Sequence, residues 1–374
     1  MNLDHEFPQD ENLLYLNHAA VSPWPRRTAT AVTEFALENV FQGARHYPRW
    51  MEIEQQLREQ LRTLINAPDT QSIALLKNTS EALSVVAGGM PWQPRDNVVS
   101  SNQEFPSNRI PWQAQQKHGV EFREVILNGQ DPEQALMDAC DHRTRVLTVS
   151  SVQYGSGLRL DLERLGEFCR SHDIRFCIDA IQSIGAQPLD VQSCQADFVM
   201  ADAHKWMLGP EGIALFYCRS ELLETLELHQ YGWHMVANAG NYDAKEWTPA
   251  PDARRFECGS PNMIGIHALS ASLSLLLEIG MQTVGDLIED RMRYLISELE
   301  KINNLHLLTP ADPARHAGII SFHIEGVDHA GLHKHLMQQQ VICAHRFGGI
   351  RFSPHCYTDM EKIARATAIL KSAL

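Results

Sequence analysis

The sequence predicts an α/β protein. Short apolar runs bounded by polar turns recur along the chain, as buried strands do. Between them lie stretches with apolar residues every three or four positions, as in amphipathic helices. The run 176–178 ends on Asp179, and the run 198–200 is followed by His204 and Lys205. The turn residues Gly209, Pro210 and Gly212 then precede a third run, 213–217. Open α/β sheets build their sites at the carboxyl ends of their strands. This order therefore brings an acid and a lysine to one edge of one sheet.

The elements follow in chain order. Residues 13–22 read as a short strand-like run leading into a turn. Residues 25–67 read as two helices parted near Tyr47 and Pro48. The second carries Trp50, Ile53, Leu57, Leu61, Leu64 and Ile65 as a stripe for core or dimer packing. Residues 73–76 form a strand that runs into Asn78, Thr79 and Ser80 and then a helical pattern. Thr79 or Ser80 serves there either as a plain N-cap or in an anion site made by free N–H groups and hydroxyls. Residues 97–101 are the next strand, ahead of Glu104, Phe105 and Pro106. Strand 121–127, a helix around 131–140 and strand 145–152 continue the alternation, ending in the polar turn at Gln153 and Tyr154. Residues 161–172 are a helix with Asp161 as N-cap. Residues 231–251, rich in Gly, Asn, Trp and Pro, read as irregular. Residues 263–303 form a long helical region broken near Gly280. Strand 318–324, helix 328–339, strand 341–344 and helix 359–374 then compose a smaller α/β unit.

The composition is that of an ordinary globular protein of 374 residues, with 32 Lys and Arg against 46 Asp and Glu, a net charge of −14. That balance argues against a general nucleic-acid or anionic-membrane surface. The first ten residues have no basic or apolar region of a secretory signal, and no apolar run is long enough to span a bilayer. The eight cysteines are scattered without a CxxC pair. They read as reduced core cysteines of a cytoplasmic protein. His329 and His333 have helical metal-ligand spacing but no HExxH and no evident third ligand, so they read as a solvated helix face and no metal is expected.

An acid and a lysine at one sheet edge suit pyridoxal phosphate chemistry. A lysine amine can hold the cofactor aldehyde as a Schiff base, and an aspartate can keep the pyridine nitrogen protonated. A bare Asp–Lys pair is common in α/β proteins, but its surroundings are specific. The segments 179–182 (DAIQ), 202–206 (DAHKW) and 255–262 (RFECGSPN) resemble those of the class V aminotransferase family, which includes cysteine desulfurases, selenocysteine lyases, kynureninases and isopenicillin epimerase-like proteins. The resemblance covers nearly the whole chain.

It implies a fold-type I pyridoxal phosphate enzyme. The large cofactor domain, 20–262, has a mostly parallel sheet of seven-stranded type, and the small domain is 263–374 with 1–19 packed on it. Lys205 carries the cofactor and Asp179 pairs with its pyridine nitrogen. Gln182 lies near the ring hydroxyl, and Asn78, Thr79, Ser80 and His204 lie at the phosphate. Ser260 reaches the partner's phosphate in a homodimer. An aspartate beside a phosphate repels it, so Asp202 is expected to point away or to bond His204. Where desulfurases carry a ring-stacking histidine this chain has Phe105, a candidate ring lid or a core residue. Gln153 and Tyr154 face substrate or the cofactor hydroxyl, or simply form a turn. Asn17 and His18 lie at the substrate mouth or on a plain arm. Arg351 clamps the substrate α-carboxylate, as a guanidinium fork can. Cys343 sits in an apolar strand close before Arg351, with no extended cysteine-bearing loop, which weighs against a protein persulfide. The substrate is an amino acid. Aminotransferase, β-lyase and epimerase chemistry stay open, beside a non-catalytic pyridoxal phosphate-binding regulator or scaffold.

Overall fold

In the computed structural model, which describes residues 3–127 and 130–374, seven strands form one sheet. Their order is Ile73–Leu76, Ala214–Cys218, Phe198–Asp202, Arg175–Asp179, Thr144–Ser150, Asn97–Ser101, Glu121–Val125. Ala214–Cys218 is antiparallel to both neighbours, and every other pair is parallel. The inner strands are buried on both faces, which is why they read as nearly unbroken apolar runs. The edge strand Glu121–Val125 has no buried residue and carries Glu121, Arg123 and Glu124, charges that discourage edge pairing.

Register sets the site. Ser150 pairs with Asp179, Asp179 with Met200, and both Leu76 and Asp202 with Ala214. The segments after Leu76, Ser101, Ser150, Asp179 and Asp202 therefore leave the sheet along one edge.

The remaining chain supports that edge. Arg26–Gln42 and Tyr47–Leu64 pack on Met263–Ile279, using the stripe read from the sequence. The break at Gly280 is an 81° bend into Met281–Leu299, and Gly280 has φ 86. Among the described residues no single helix is long and apolar enough to cross a membrane. A four-stranded antiparallel sheet orders Ala344–Arg346, Gly349–Phe352, Ile320–Ile324 and Leu305–Leu307. Leu14–Tyr15 pairs in parallel with Val341–Ile342. Met1 and Asn2, at the start of the arm, lie outside the described residues.

Three sequence readings change. Residues 341–344 are not one strand but parts of two, parted at Cys343, because Val341–Ile342 pairs with the N-terminal arm and Ala344–Arg346 with Gly349–Phe352. The N-cap of helix Thr79–Gly89 is Asn78, whose side chain accepts from the Glu81 N–H; Thr79 and Ser80 are its first residues. His329 is buried, not solvated, and its Nε2 accepts from the Ile324 N–H.

Gly185 shows how tightly the edge is built. Its φ is 93, and a Cβ there would stand 2.3 Å from the carbonyl oxygen of Trp206. Gly185→Ala is expected to lower stability by about 2 kcal/mol or more, from left-handed strain and overpacking together. A urea midpoint indistinguishable from wild type would contradict this packing.

Candidate active site

Asp179 ends its strand, buried, and accepts from the Ile181 N–H at 3.1 Å. Burial raises its carboxyl above the ordinary range; the Ile181 N–H opposes this, Glu104 adds to it and Lys205 opposes it. Lys205 follows the adjoining strand by three residues. Burial pulls its amine down to about 8, with Asp179 opposing and Arg351 adding to the descent. The turn that carries Lys205 is fixed from behind. Trp206 is fully buried and donates from Nε1 to Gln182 Oε1 at 2.9 Å. The Trp206 carbonyl oxygen lies 3.2 Å from His355 Nε2.

The start of helix Thr79–Gly89 meets the strand end that precedes Lys205. Its first turn leaves the Thr79 and Ser80 N–H groups without intrahelical acceptors. Thr79 Oγ1 accepts from the Asp202 N–H at 3.0 Å, and Ser80 Oγ donates to Ser107 Oγ at 2.8 Å. His204 Nδ1 stands 3.1 Å from Asp202 Oδ1, close enough for an ion pair once His204 is protonated, though not aligned as a hydrogen bond.

Lys205 Nζ lies 5.8 Å from the centroid of the Phe105 ring. Phe105 is 44% exposed, so it is not a core residue. Tyr154 meets it edge-on at 5.1 Å. Arg351 Nη1 donates to the Tyr154 carbonyl at 2.8 Å, while its buried Nε has no partner. Burial, with the Arg346 charge adding to it, lowers this guanidinium to about 10.

The other sequence candidates fall differently. Gln182 is committed to Trp206 and, through Nε2, to the Ala19 carbonyl at 3.1 Å. His18 is buried with both ring nitrogens engaged, one with the Ser353 carbonyl and the other with the Tyr357 hydroxyl, which leaves none for a ligand. Asn17 lies beside it, bridged to Ser353, with Oδ1 buried and unpartnered. Ser260 is exposed on the single chain and lines a cavity with Leu76, Lys77 and Glu81, beside the start of helix Thr79–Gly89. The loop 231–248 encloses a separate cavity of about 600 Å³ with Tyr231, Trp233, Tyr242 and Trp247 in its wall; Lys205, Asp179 and Arg351 do not line it.

Glu104 is the residue that sequence reasoning passed over. Its buried carboxylate accepts from Ser101 Oγ (2.9 Å), the Ser150 N–H (2.9 Å) and Oγ (2.5 Å), Asn108 Nδ2 (2.9 Å) and Gln153 Nε2 (2.8 Å). It thereby ties together two strand ends, at Ser101 and Ser150, and holds Gln153 and the turn that carries Phe105. The available signal was an acid adjoining the predicted lid, with hydroxyls ending two neighbouring strands. Another acidic group, Glu54 and Glu257 with His234, brings ligand atoms within 4.8 Å of one another. Arg58 already binds both carboxylates, at 2.6 Å and 2.7 Å, so this group reads as a buried ion network.

The donor set fits pyridoxal phosphate. A buried amine of lowered pKa, an acid at the adjoining strand end, an open helix start and an exposed aromatic ring stand along one edge. Comparison with known proteins agrees. A family profile described as Aminotransferase class-V matches residues 14–369. A probable cysteine desulfurase of Methanothermobacter thermautotrophicus is 30% identical, covering 96% of this chain and 94% of that one. The cystine C-S lyase C-DES, solved in complex with its reaction product cysteine persulfide, superposes with a TM-score of 0.90 at 24% identity, over 98% of this chain and 99% of that one. The cysteine desulfurase CsdA of Escherichia coli superposes with a TM-score of 0.87 at 24% identity, over 99% and 97%. The chain thus belongs to the class V aminotransferase family of pyridoxal phosphate-dependent enzymes.

Proposed function

We propose that the enzyme is a carbon–sulfur β-lyase, acting on a cysteine-type amino acid and releasing the sulfur substituent directly to solvent. The observation that carries this reading is the state of Cys343. It is the cysteine nearest in sequence before Arg351, yet it is buried between two short strands, and burial pushes its thiol up to about 12. A thiol so held is a poor nucleophile. The names of the relatives, desulfurases and a C–S lyase, support cleavage of a carbon–sulfur bond.

Each residue then has a task. Arg351 binds the substrate α-carboxylate through the part of its fork not used by Tyr154. Asp179 holds a proton on the pyridine nitrogen. The N–H groups of Thr79 and Ser80, their hydroxyls and His204 hold the phosphate, with Asp202 held against His204 and Asn78 fixing the turn. Phe105 covers the ring face. Gln153 and Tyr154 border the substrate, with Asn17 beside Arg351, and Gln182 has one amide N–H left for the ring hydroxyl. When bound through Lys205, pyridoxal phosphate supplies an electron-withdrawing ring that stabilises negative charge at Cα. Lys205 removes the Cα proton; the Cβ–S bond breaks with its electron pair leaving on sulfur, and the sulfur takes up a proton. Hydrolysis of the three-carbon remainder gives pyruvate and ammonia. The active unit is a cytoplasmic homodimer divided at 20–262 and 263–374, with the exposed Ser260 of each copy at the other's phosphate. The eight free cysteines support that compartment.

Release of pyruvate and thiol in equal amounts from S-substituted cysteines is the direct test. Lys205→Ala is expected to lower that release by more than about a thousandfold; retention of wild-type turnover would refute the mechanism. Cys343→Ser is expected to keep turnover within about twofold, and trapping with an alkylating reagent should find no persulfide on Cys343 during cysteine turnover. A persulfide there would make the chain a desulfurase instead. The lowered pKa of Lys205 predicts that its neutral amine appears well below the ordinary lysine range. In cofactor-free protein, carbamylation of Lys205 by cyanate should rise with pH to half its maximum near pH 8. A rise centred above pH 10 would contradict the burial argument.

A further inference from the structure

Arg351 is one of two arginines on the same face of the small sheet. Strands Ala344–Arg346 and Gly349–Phe352 form a hairpin whose turn residues, Phe347 and Gly348, both have left-handed φ values, 53 and 74. That is the signature of a tight turn that fixes register. Ala344 pairs with Arg351 and Arg346 with Gly349. Residues two apart on a strand share a face, so Arg346 and Arg351 project from the same side as diagonal neighbours. Gly349 presents no side chain opposite Arg346. A Cβ there would stand 2.1 Å from the Phe322 carbonyl oxygen, which keeps the position as glycine.

That face looks onto the turn at Tyr154 and Gly155. Ser321, paired with Arg351, donates from Oγ to the Gly155 carbonyl at 2.5 Å, and Arg351 donates to the Tyr154 carbonyl. Phe347 lies 2.7 Å from where a Gly155 Cβ would stand. The hairpin tip therefore overhangs the rim that Tyr154 and Phe105 share with Lys205.

The charges on this face are not balanced by protein. Arg346 is exposed, and its Nη1 donates to the neighbouring His345 carbonyl at 2.9 Å. Among the described residues neither Arg346 nor Arg351 has an ion pair with a carboxylate, although the chain holds 46 acids against 32 bases. Like charges set near each other across a strand pair are unfavourable. Their persistence at the rim of a site marks anion recognition. One α-carboxylate occupies one fork; a second fork at the mouth suits a second acid. The Arg346 charge is felt inside, where it adds to the lowering of both Arg351 and Lys205.

We propose that Arg346 binds an acidic group on the β-substituent of the substrate, so that the enzyme selects cysteine derivatives with a second, distal carboxylate. This rests on the β-lyase reading above. The test uses two ligands of one shape and different charge, S-carboxymethyl-L-cysteine and S-carbamoylmethyl-L-cysteine. Their binding to the holoenzyme is titrated by the visible cofactor band, and pyruvate release is followed separately. The wild type is expected to favour the acid by about three- to tenfold, the scale of a partly exposed charge-assisted contact. Arg346→Gln should bring the acid-to-amide ratio near one, and Arg346→Lys should keep part of it. A wild-type ratio near one, or a preference that survives Arg346→Gln, overturns the proposal. So does an Arg346→Gln variant that loses both ligands equally, since Arg346 would then serve the α-carboxylate. An Arg346-dependent preference in binding without pyruvate supports the proposal and counts against the β-lyase reading alone.

Discussion

Asp179 and Lys205 are both drawn out of water at adjoining strand ends, and each offsets part of the other's cost by Coulomb attraction. Burying a charge costs several kcal/mol even after relaxation. The rest of the edge is arranged around that cost. The Ile181 N–H supports the Asp179 carboxylate, and Trp206, Gln182, His355 and Gly185 fix the turn that carries Lys205. A site held on strand ends by buried neighbours keeps its geometry better than one held on a free loop.

A second anion, Glu104, makes the environment less usual. It lies close enough to raise the Asp179 pKa, yet five donor groups satisfy its own carboxylate. Removing one member of such a network leaves buried donors unpaired, which is why partial loss is worse than none. Its position explains how Phe105, an exposed ring on a short turn, keeps its place beside Lys205. Positive charge answers from the small sheet, where Arg351 and Arg346 lower the Lys205 amine.

Much of this was legible in the sequence because its signals are local. Strand ends at Asp179 and Ser101, the Asp161 cap, the break at Gly280 and the two N-terminal helices follow from periodicity, turn residues and caps. What escaped depends on contacts far apart in the chain. Asn78 caps its helix, and Thr79 instead accepts from Asp202, more than a hundred residues away. His18 looked available in its motif but is locked between Ser353 and Tyr357, from the far end of the sequence. The cage around Glu104 draws on two strand ends, at Ser101 and Ser150, and on Asn108 and Gln153 in the turns beyond them. The pairing of Arg346 with Gly349 appears only once the hairpin register is known.

The central claim is that one buried lysine, set against Asp179 and facing Arg351, runs an elimination. The most direct measurement is the visible spectrum of the purified holoenzyme while an S-substituted cysteine is added and consumed. The account predicts a shift of the cofactor band on addition and full return of the aldehyde form as the amino acid is used up. Lasting conversion to the amine form would mean transamination. A band that no such amino acid perturbs would contradict the assignment of this site.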